Sequence, residues 1–117
     1  MVYLKVMRVL LVEDDVDLRE LTETSLTLEG FKVTPTRDGW EALEVLKAGG
    51  EPFDSIALDL MMPVMTGYEF LEAVKDFLNL PRIVICSSME PSRVPKGYPH
   101  YRKTHGDLSE LIKLLRA

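Results

Sequence analysis

Glu13, Asp14 and Asp15 stand in a row directly after the apolar run Val9-Leu10-Leu11-Val12. Such a run reads as a buried strand, so the three carboxylates fall where the chain leaves the core. Side by side they repel one another, and water or a cation must offset that repulsion. A second apolar run, Ser55-Ile56-Ala57-Leu58, ends in another carboxylate, Asp59. If the two strands are parallel neighbours, their acidic ends meet on one rim of a sheet. Carboxylates gathered there suit a hard divalent cation that prefers oxygen ligands. The acidic pair alone says less, because carboxylates at a strand-to-helix junction also cap helices or favour their positive ends.

The elements that must position these groups alternate along the chain. Residues 6–12, 31–36, 55–59, 82–86 and 98–102 read as strands, the last one short. Pro35 lacks a donor, which favours an edge position for the second strand. Asp17 is expected to cap a first helix with Leu18, Leu21, Ser25 and Leu28 on one face and Gly30 as its stop. Residues 39–48 read as a second helix, with Ala42, Leu43 and Leu46 inward and Gly49-Gly50 ending it. A third helix follows Pro63, with Phe70, Leu71, Val74, Phe77 and Leu78 as its apolar stripe. Asp107 is expected to cap a last helix carrying Leu108, Leu111, Ile112 and Leu115. Strands alternating with helices predict an α/β fold, a doubly wound parallel sheet with helices on both faces. Ligands in such sheets bind beyond the carboxyl ends of the strands. Glu13, Asp14, Asp59 and Ser87 all fall there.

Composition narrows the classes. The chain has 117 residues, 46% hydrophobic and 28% charged, which suits one domain spanning 1–117. A formal net charge of −5 argues against a nucleic-acid surface. No apolar run is long enough to insert in a membrane and no leader is evident, so a cytoplasmic setting is expected. The single cysteine, Cys86, lies in an apolar run and reads as a buried reduced thiol. No glycine-rich loop follows the first strand. Acids stand where a phosphate cradle would need backbone donors, which disfavours a nucleotide or flavin binder.

Taken together, the sequence resembles a response-regulator receiver domain of two-component signalling. The matching stretches are residues 9–15, 38–43, 59–67 and 81–88, the third reading Asp59-Leu60-Met61-Met62-Pro63-Val64-Met65-Thr66-Gly67. The resemblance implies a five-stranded, flavodoxin-like sheet and a phosphoacceptor at Asp59, supplied by a sensor histidine kinase or a phosphotransfer protein in a phosphorelay. It implies Mg2+ held by Glu13, Asp14, Asp59 and the backbone carbonyl of Met61. Ser87, with Ser88 as the alternative, matches the hydroxyl position, and Lys103 matches the lysine that faces the phosphoryl group. Asp15 is expected to be peripheral, exposed or capping a helix. The expected output is a change in contacts with a downstream protein, with no conventional enzymatic turnover beyond the domain's own phosphorylation and dephosphorylation. No output domain fits in this length.

Four physical expectations accompany those roles. Asp59 must be ionised to attack phosphorus, so its pKa is expected not to be driven high. Gly67 is expected to allow a close approach or a conformation that a side chain would block, with Pro63 stiffening the turn before it. Met61, Met62 and Met65 are expected to be packing or loop cover, because magnesium does not favour thioether sulfur. Met61 and Met89 occupy positions that, in the family, flank the route of the hydrolytic water, so slow loss of phosphate is expected.

The chain departs from the pattern after residue 88. The connection 89–97 is short and contains Pro91 and Pro95, with Pro99 beyond, so a loop or one turn should replace the family's usual helix. Thr104, not proline, follows Lys103. His100 and Tyr101 both fit the aromatic switch position, while His100 and His105 otherwise read as surface loop residues. A receiver-like docking module that acts without phosphorylation is therefore the competing reading.

Overall fold

The computed structural model describes residues 5–103 and 107–117. Five strands, β1 (Arg8–Val12), β2 (Lys32–Thr36), β3 (Ser55–Asp59), β4 (Arg82–Ser87) and β5 (His100–Arg102), form one parallel sheet in the order β2-β1-β3-β4-β5. Four helices, α1 (Val16–Leu28), α2 (Gly39–Ala48), α3 (Gly67–Val74) and α4 (Ser109–Arg116), cover its two faces. The fold is the expected doubly wound sheet. Pro35 lies on the edge strand β2, where a missing donor is tolerated.

Alternation within each strand divides the core. Leu10, Val12, Ile56, Leu58, Ile83 and Ile85 pack toward Ala42 and Leu43 of α2 and Phe70 and Val74 of α3. Val9, Leu11, Ala57, Val84, Cys86 and Tyr101 pack toward Leu26 of α1 and Leu111 and Leu115 of α4. Burial on both faces is why the strands read as continuous apolar runs. Each fully buried aliphatic side chain contributes about 1.5–3 kcal/mol.

The α2 and β3 bounds match the sequence reading. Elsewhere the edges move. β1 begins at Arg8, whose N–H donates to Asp54 Oδ2 at 2.8 Å, and Val6 stays exposed. β2 begins at Lys32, and β5 covers only His100–Arg102. β4 runs one residue further than expected, through Ser87. Asp15, not Asp17, caps α1, accepting from the Leu18 N–H at 2.9 Å. The predicted α1 face is also wrong. Leu26 is buried, whereas Leu18, Leu21 and Leu28 are exposed. Leu18 and Leu21 instead line a cleft of about 400 Å³ with Tyr101, Leu108 and Leu111, because α4 begins only at Ser109. Asp107 sits one residue before the cap position of α4, where its carboxylate accepts from the Ser109 N–H at 3.0 Å. Leu78 is exposed because α3 stops at Val74 and Asn79 turns the chain with φ 58°.

A single 3-10 turn, Pro91–Arg93, stands in the connection 89–97. Val94 is buried there against the α2–α3 face and closes the sheet where a helix would otherwise lie. Tyr68 of α3 reaches across, its hydroxyl 3.4 Å from both Met89 Sδ and the Arg93 carbonyl.

One backbone position on the site's rim is strained. Val64 has φ 69° and is exposed, and a β-branched residue is poorly tolerated in that region. Val64→Asn, which tolerates this conformation, is expected to stabilise the protein by about 1 kcal/mol. Urea denaturation with an unchanged or lower midpoint would refute this.

Candidate functional site

Register builds the site. Val12 pairs with Leu58, so Glu13 and Asp59 come next on adjacent strands. Asp59 pairs with Cys86, and Ser87 follows it. Ser87 pairs with Arg102, and Lys103 follows that. The strand order reverses between β1 and β3, which is where ligands bind in open α/β sheets. Glu13, Asp59 and Lys103 are each two residues beyond a residue on the α1–α4 side, namely Leu11, Ala57 and Tyr101. Alternation thus directs all three toward the same side of the rim.

Carboxylate oxygens of Glu13, Asp14 and Asp59 lie within 4.8 Å of one another. Glu13 and Asp59 are buried and Asp14 is half-buried. Lys103 Nζ donates to Glu13 Oε1 at 2.7 Å and lies 3.5 Å from Asp59 Oδ1. One ammonium therefore serves a cluster of three carboxylates through two of them, and a divalent cation would offset the negative charge that remains. The oxygen-only donor set fits Mg2+ or Ca2+ better than a thiophilic metal.

Electrostatics corrects one expectation. The Asp59 carboxyl is pushed up to about 7, mainly by burial, with Glu13 adding to the rise and Lys103 opposing it. The sequence reading took ionisation of Asp59 as given, but in the protein alone the charged form is costly. Burial pulls the Lys103 ammonium down. The Glu13 hydrogen bond and the charges of Asp59 and Glu13 together outweigh that, so it holds its proton more tightly than usual. Cys86 matches the inert reading, its thiol pushed up to about 12 by burial.

The remaining site residues take distinct places. Ser87 is buried, and its hydroxyl accepts from the Met89 N–H at 3.1 Å. Ser88 is exposed. Among the described residues no bond links Ser87 to Asp59. Met61 directs its N–H at Asp59 Oδ1, 3.3 Å away, and leaves its side chain exposed. Met62 is buried, and Met65 packs against the core beside Gly39. His100 is not a surface loop residue. It belongs to β5, is half-buried, and places Nε2 3.1 Å from the Ser87 carbonyl. Tyr101 is buried among the α1–α4 side residues and donates to the Asp107 carbonyl at 2.6 Å. His105 and the Lys103–Thr104 bond lie outside the described residues.

Sequence reasoning missed Arg19. Its guanidinium donates to the carbonyls of Glu13 at 2.9 Å and Asp14 at 3.2 Å, fixing the turn that presents the acids. A cation one helical turn into α1 was the available signal. Gly67 behaves as expected. A Cβ there would meet the Asp59 carbonyl oxygen at 2.4 Å, so only glycine lets α3 start against the end of β3.

The site thus joins an acidic cluster that could hold a cation and a lysine on the carboxyl rim of a doubly wound sheet. Comparison with known proteins agrees. The family model for the response regulator receiver domain matches residues 9–97, and this chain belongs to that family. Over 110 residues it is 36% identical to the two-component response regulator ARR12 of Arabidopsis thaliana, covering 94% of this chain but 18% of that protein. It is 39% identical over 83 residues to the transcriptional regulatory protein CpxR homolog of Haemophilus influenzae, covering 71% of this chain and 35% of that one. This chain thus spans a minor part of the length of these curated relatives. Among solved structures, the chemotaxis response regulator CheY4 of Vibrio cholerae superimposes with a TM-score of 0.79 at 30% identity, covering 96% of this chain and 98% of that one. The response regulator TrrA of Thermotoga maritima, solved in complex with Mg2+-BeF, shares the fold at 24% identity, a TM-score of 0.81 and coverage of 95% and 97%. The same protein, solved with the histidine kinase ThkA, superimposes at 0.74, covering 96% of this chain and 100% of that one. Among the described residues no helix is long and apolar enough to cross a membrane.

Proposed function

We propose that this chain is a phosphoacceptor signalling domain in which Asp59 accepts a phosphoryl group from a sensor histidine kinase or phosphotransfer protein. The observation that carries the reading is the joining of Glu13, Asp14, Asp59 and Lys103 on one rim at the switch point of the sheet. Glu13, Asp14, Asp59 and the Met61 carbonyl would hold Mg2+, which supplies charge neutralisation for the incoming phosphate. The chain's own part is positioning. Burial limits water at Asp59, and Met61 N–H orients its carboxylate. Lys103 stands ready to leave Glu13 for a phosphoryl oxygen, while the Ser87 hydroxyl is free to donate its proton. The kinase partner is supported by the Thermotoga regulator's complex with ThkA, and the metal by that regulator's complex with Mg2+-BeF. Readout would be a change in contacts with a downstream protein, in the cytoplasm as for receivers generally. The domain drives no turnover beyond its own phosphorylation and dephosphorylation.

The docking-module reading keeps one observation in its favour. The segment opposite the acceptor holds a single 3-10 turn anchored by Val94 and Tyr68 where receivers carry a helix. Incubation with acetyl phosphate and Mg2+, read by intact mass, separates the two. Wild type is expected to gain one phosphate and Asp59→Asn none. No gain in wild type would favour docking without phosphorylation.

A further inference from the structure

Five described methionines, Met7, Met61, Met62, Met65 and Met89, differ sharply in access. Met62 is 6% exposed, and Met7, Met65 and Met89 are partly buried against the core. Met89 is further held by the Tyr68 hydroxyl on its sulfur. Met61 alone among them is open to solvent, at 64%. It is also the one whose own N–H touches the Asp59 carboxylate. The most reactive thioether of the described chain therefore adjoins the buried acceptor.

We propose that Met61 is a peroxide-oxidation site whose sulfoxide shortens the life of a phosphoryl group on Asp59. The sulfur attacks one oxygen of hydrogen peroxide, forming the S–O bond as the O–O bond breaks. Sulfur gives up two electrons, and the departing hydroxide takes the remaining proton to leave as water. The product differs from the thioether in the property that matters here. A thioether is a weak acceptor, whereas a sulfoxide oxygen is strongly polar and holds a water by hydrogen bond. Asp59 is only 6% exposed, so water reaches a group on it from the rim, where Met61 stands. Reduced Met61 offers that water no strong partner, and oxidised Met61 holds it beside the acceptor. Oxidant level would thereby set signal lifetime without touching any charged group of the site.

The proposal rests on Asp59 being a phosphoacceptor, and its test separates the two. Protein treated with dilute hydrogen peroxide is peptide-mapped, phosphorylated with acetyl phosphate and Mg2+, desalted, and followed by intact mass. Among the five methionines above, the first sulfoxide is expected at Met61, with phosphate lost roughly three-fold or more faster than from untreated protein. Methionine sulfoxide reductase should restore the slower rate. Met61→Leu, compared with its own untreated form, should show no acceleration. Oxidation of Met62, Met65 or Met89 ahead of Met61 would overturn the proposal. So would an unchanged lifetime with Met61 oxidised, or equal acceleration in the Leu variant. If untreated protein takes up no phosphate at all, the reading of Asp59 falls and this proposal with it.

Discussion

Replacing Asp59 with Asn should make the metal-free protein more stable at pH 8, by about 1–3 kcal/mol, and leave it unchanged below about pH 4. The carboxyl has an ordinary value of 3.8 and is raised to about 7 in the fold, principally by burial. A folded-state value above the unfolded one means the folded protein binds the proton more tightly. The stability this gives is complete below the ordinary value and is lost as pH rises through about 7. Wild type should therefore weaken between roughly pH 4 and pH 8 more than the Asn variant does. The rise from 3.8 to about 7 sets an upper limit of about 4 kcal/mol. Asn also forfeits the attraction between Asp59 and Lys103, so the smaller figure is expected. Mg2+ should recover the deficit in wild type and do far less for Asn, since binding to the folded state adds stability by mass action. Urea midpoints measured with chelator across this range decide the matter. A wild-type minus variant difference that stays flat with pH would show that Asp59 is not held in an uncharged state by burial.

That raised pKa marks the boundary of what the sequence discloses. Strand-end carboxylates are visible because charges end apolar runs, and Glu13, Asp14 and Asp59 were legible on that ground together with their match to the receiver pattern. The spans Gly39–Ala48 and Ser55–Asp59 were equally legible, the first because Gly49-Gly50 ends it and the second because it is an apolar run that ends in a charge. Burial of Asp59 depends on residues distant in sequence, and so does the price of its charge. The Lys103 bond to Glu13 spans 90 positions, and no periodicity reports it. On α1 leucines stand at several angular positions, and Leu26 is the buried one because it joins the cluster of Val9, Leu11 and Phe31, which α1's own periodicity does not report. Tyr68 failed to stand out for the same reason. Its partners, Met89 and Arg93, belong to a connection whose path is set by Val94 entering the core. Local signals located the acids, while tertiary neighbours decided the protonation of Asp59 and the cation that faces it.

Gly67→Ala is expected to cost about 2–3 kcal/mol of stability and to slow phosphorylation by acetyl phosphate beyond the loss of folded protein. The added methyl would lie 2.4 Å from the Asp59 carbonyl oxygen and 2.6 Å from Leu60 Cα. Both are backbone atoms at the end of β3 and just beyond it, so neither can turn aside as a side chain would. The Gly67 N–H also donates to the Leu60 carbonyl at 2.9 Å, and separating the two chains strains that bond. Thr66 and Glu69 hold the start of α3 in a capping box, which resists relief by moving the helix. Relief must then come from shifting Asp59 itself, away from Glu13, Asp14 and Lys103. Gly39→Ala is the informative control. The three atoms nearest its methyl would all belong to the Met65 side chain, at 3.0, 3.0 and 3.3 Å, and a flexible thioether chain can yield. Gly39 is also the first residue of α2, where alanine recovers up to about 1 kcal/mol of helix propensity. Its net effect should be under about 1 kcal/mol in either direction, with phosphorylation unaltered. Equal destabilisation in the two variants, or a Gly67→Ala protein phosphorylated at the wild-type rate, would show that close contact between α3 and β3 does not position Asp59.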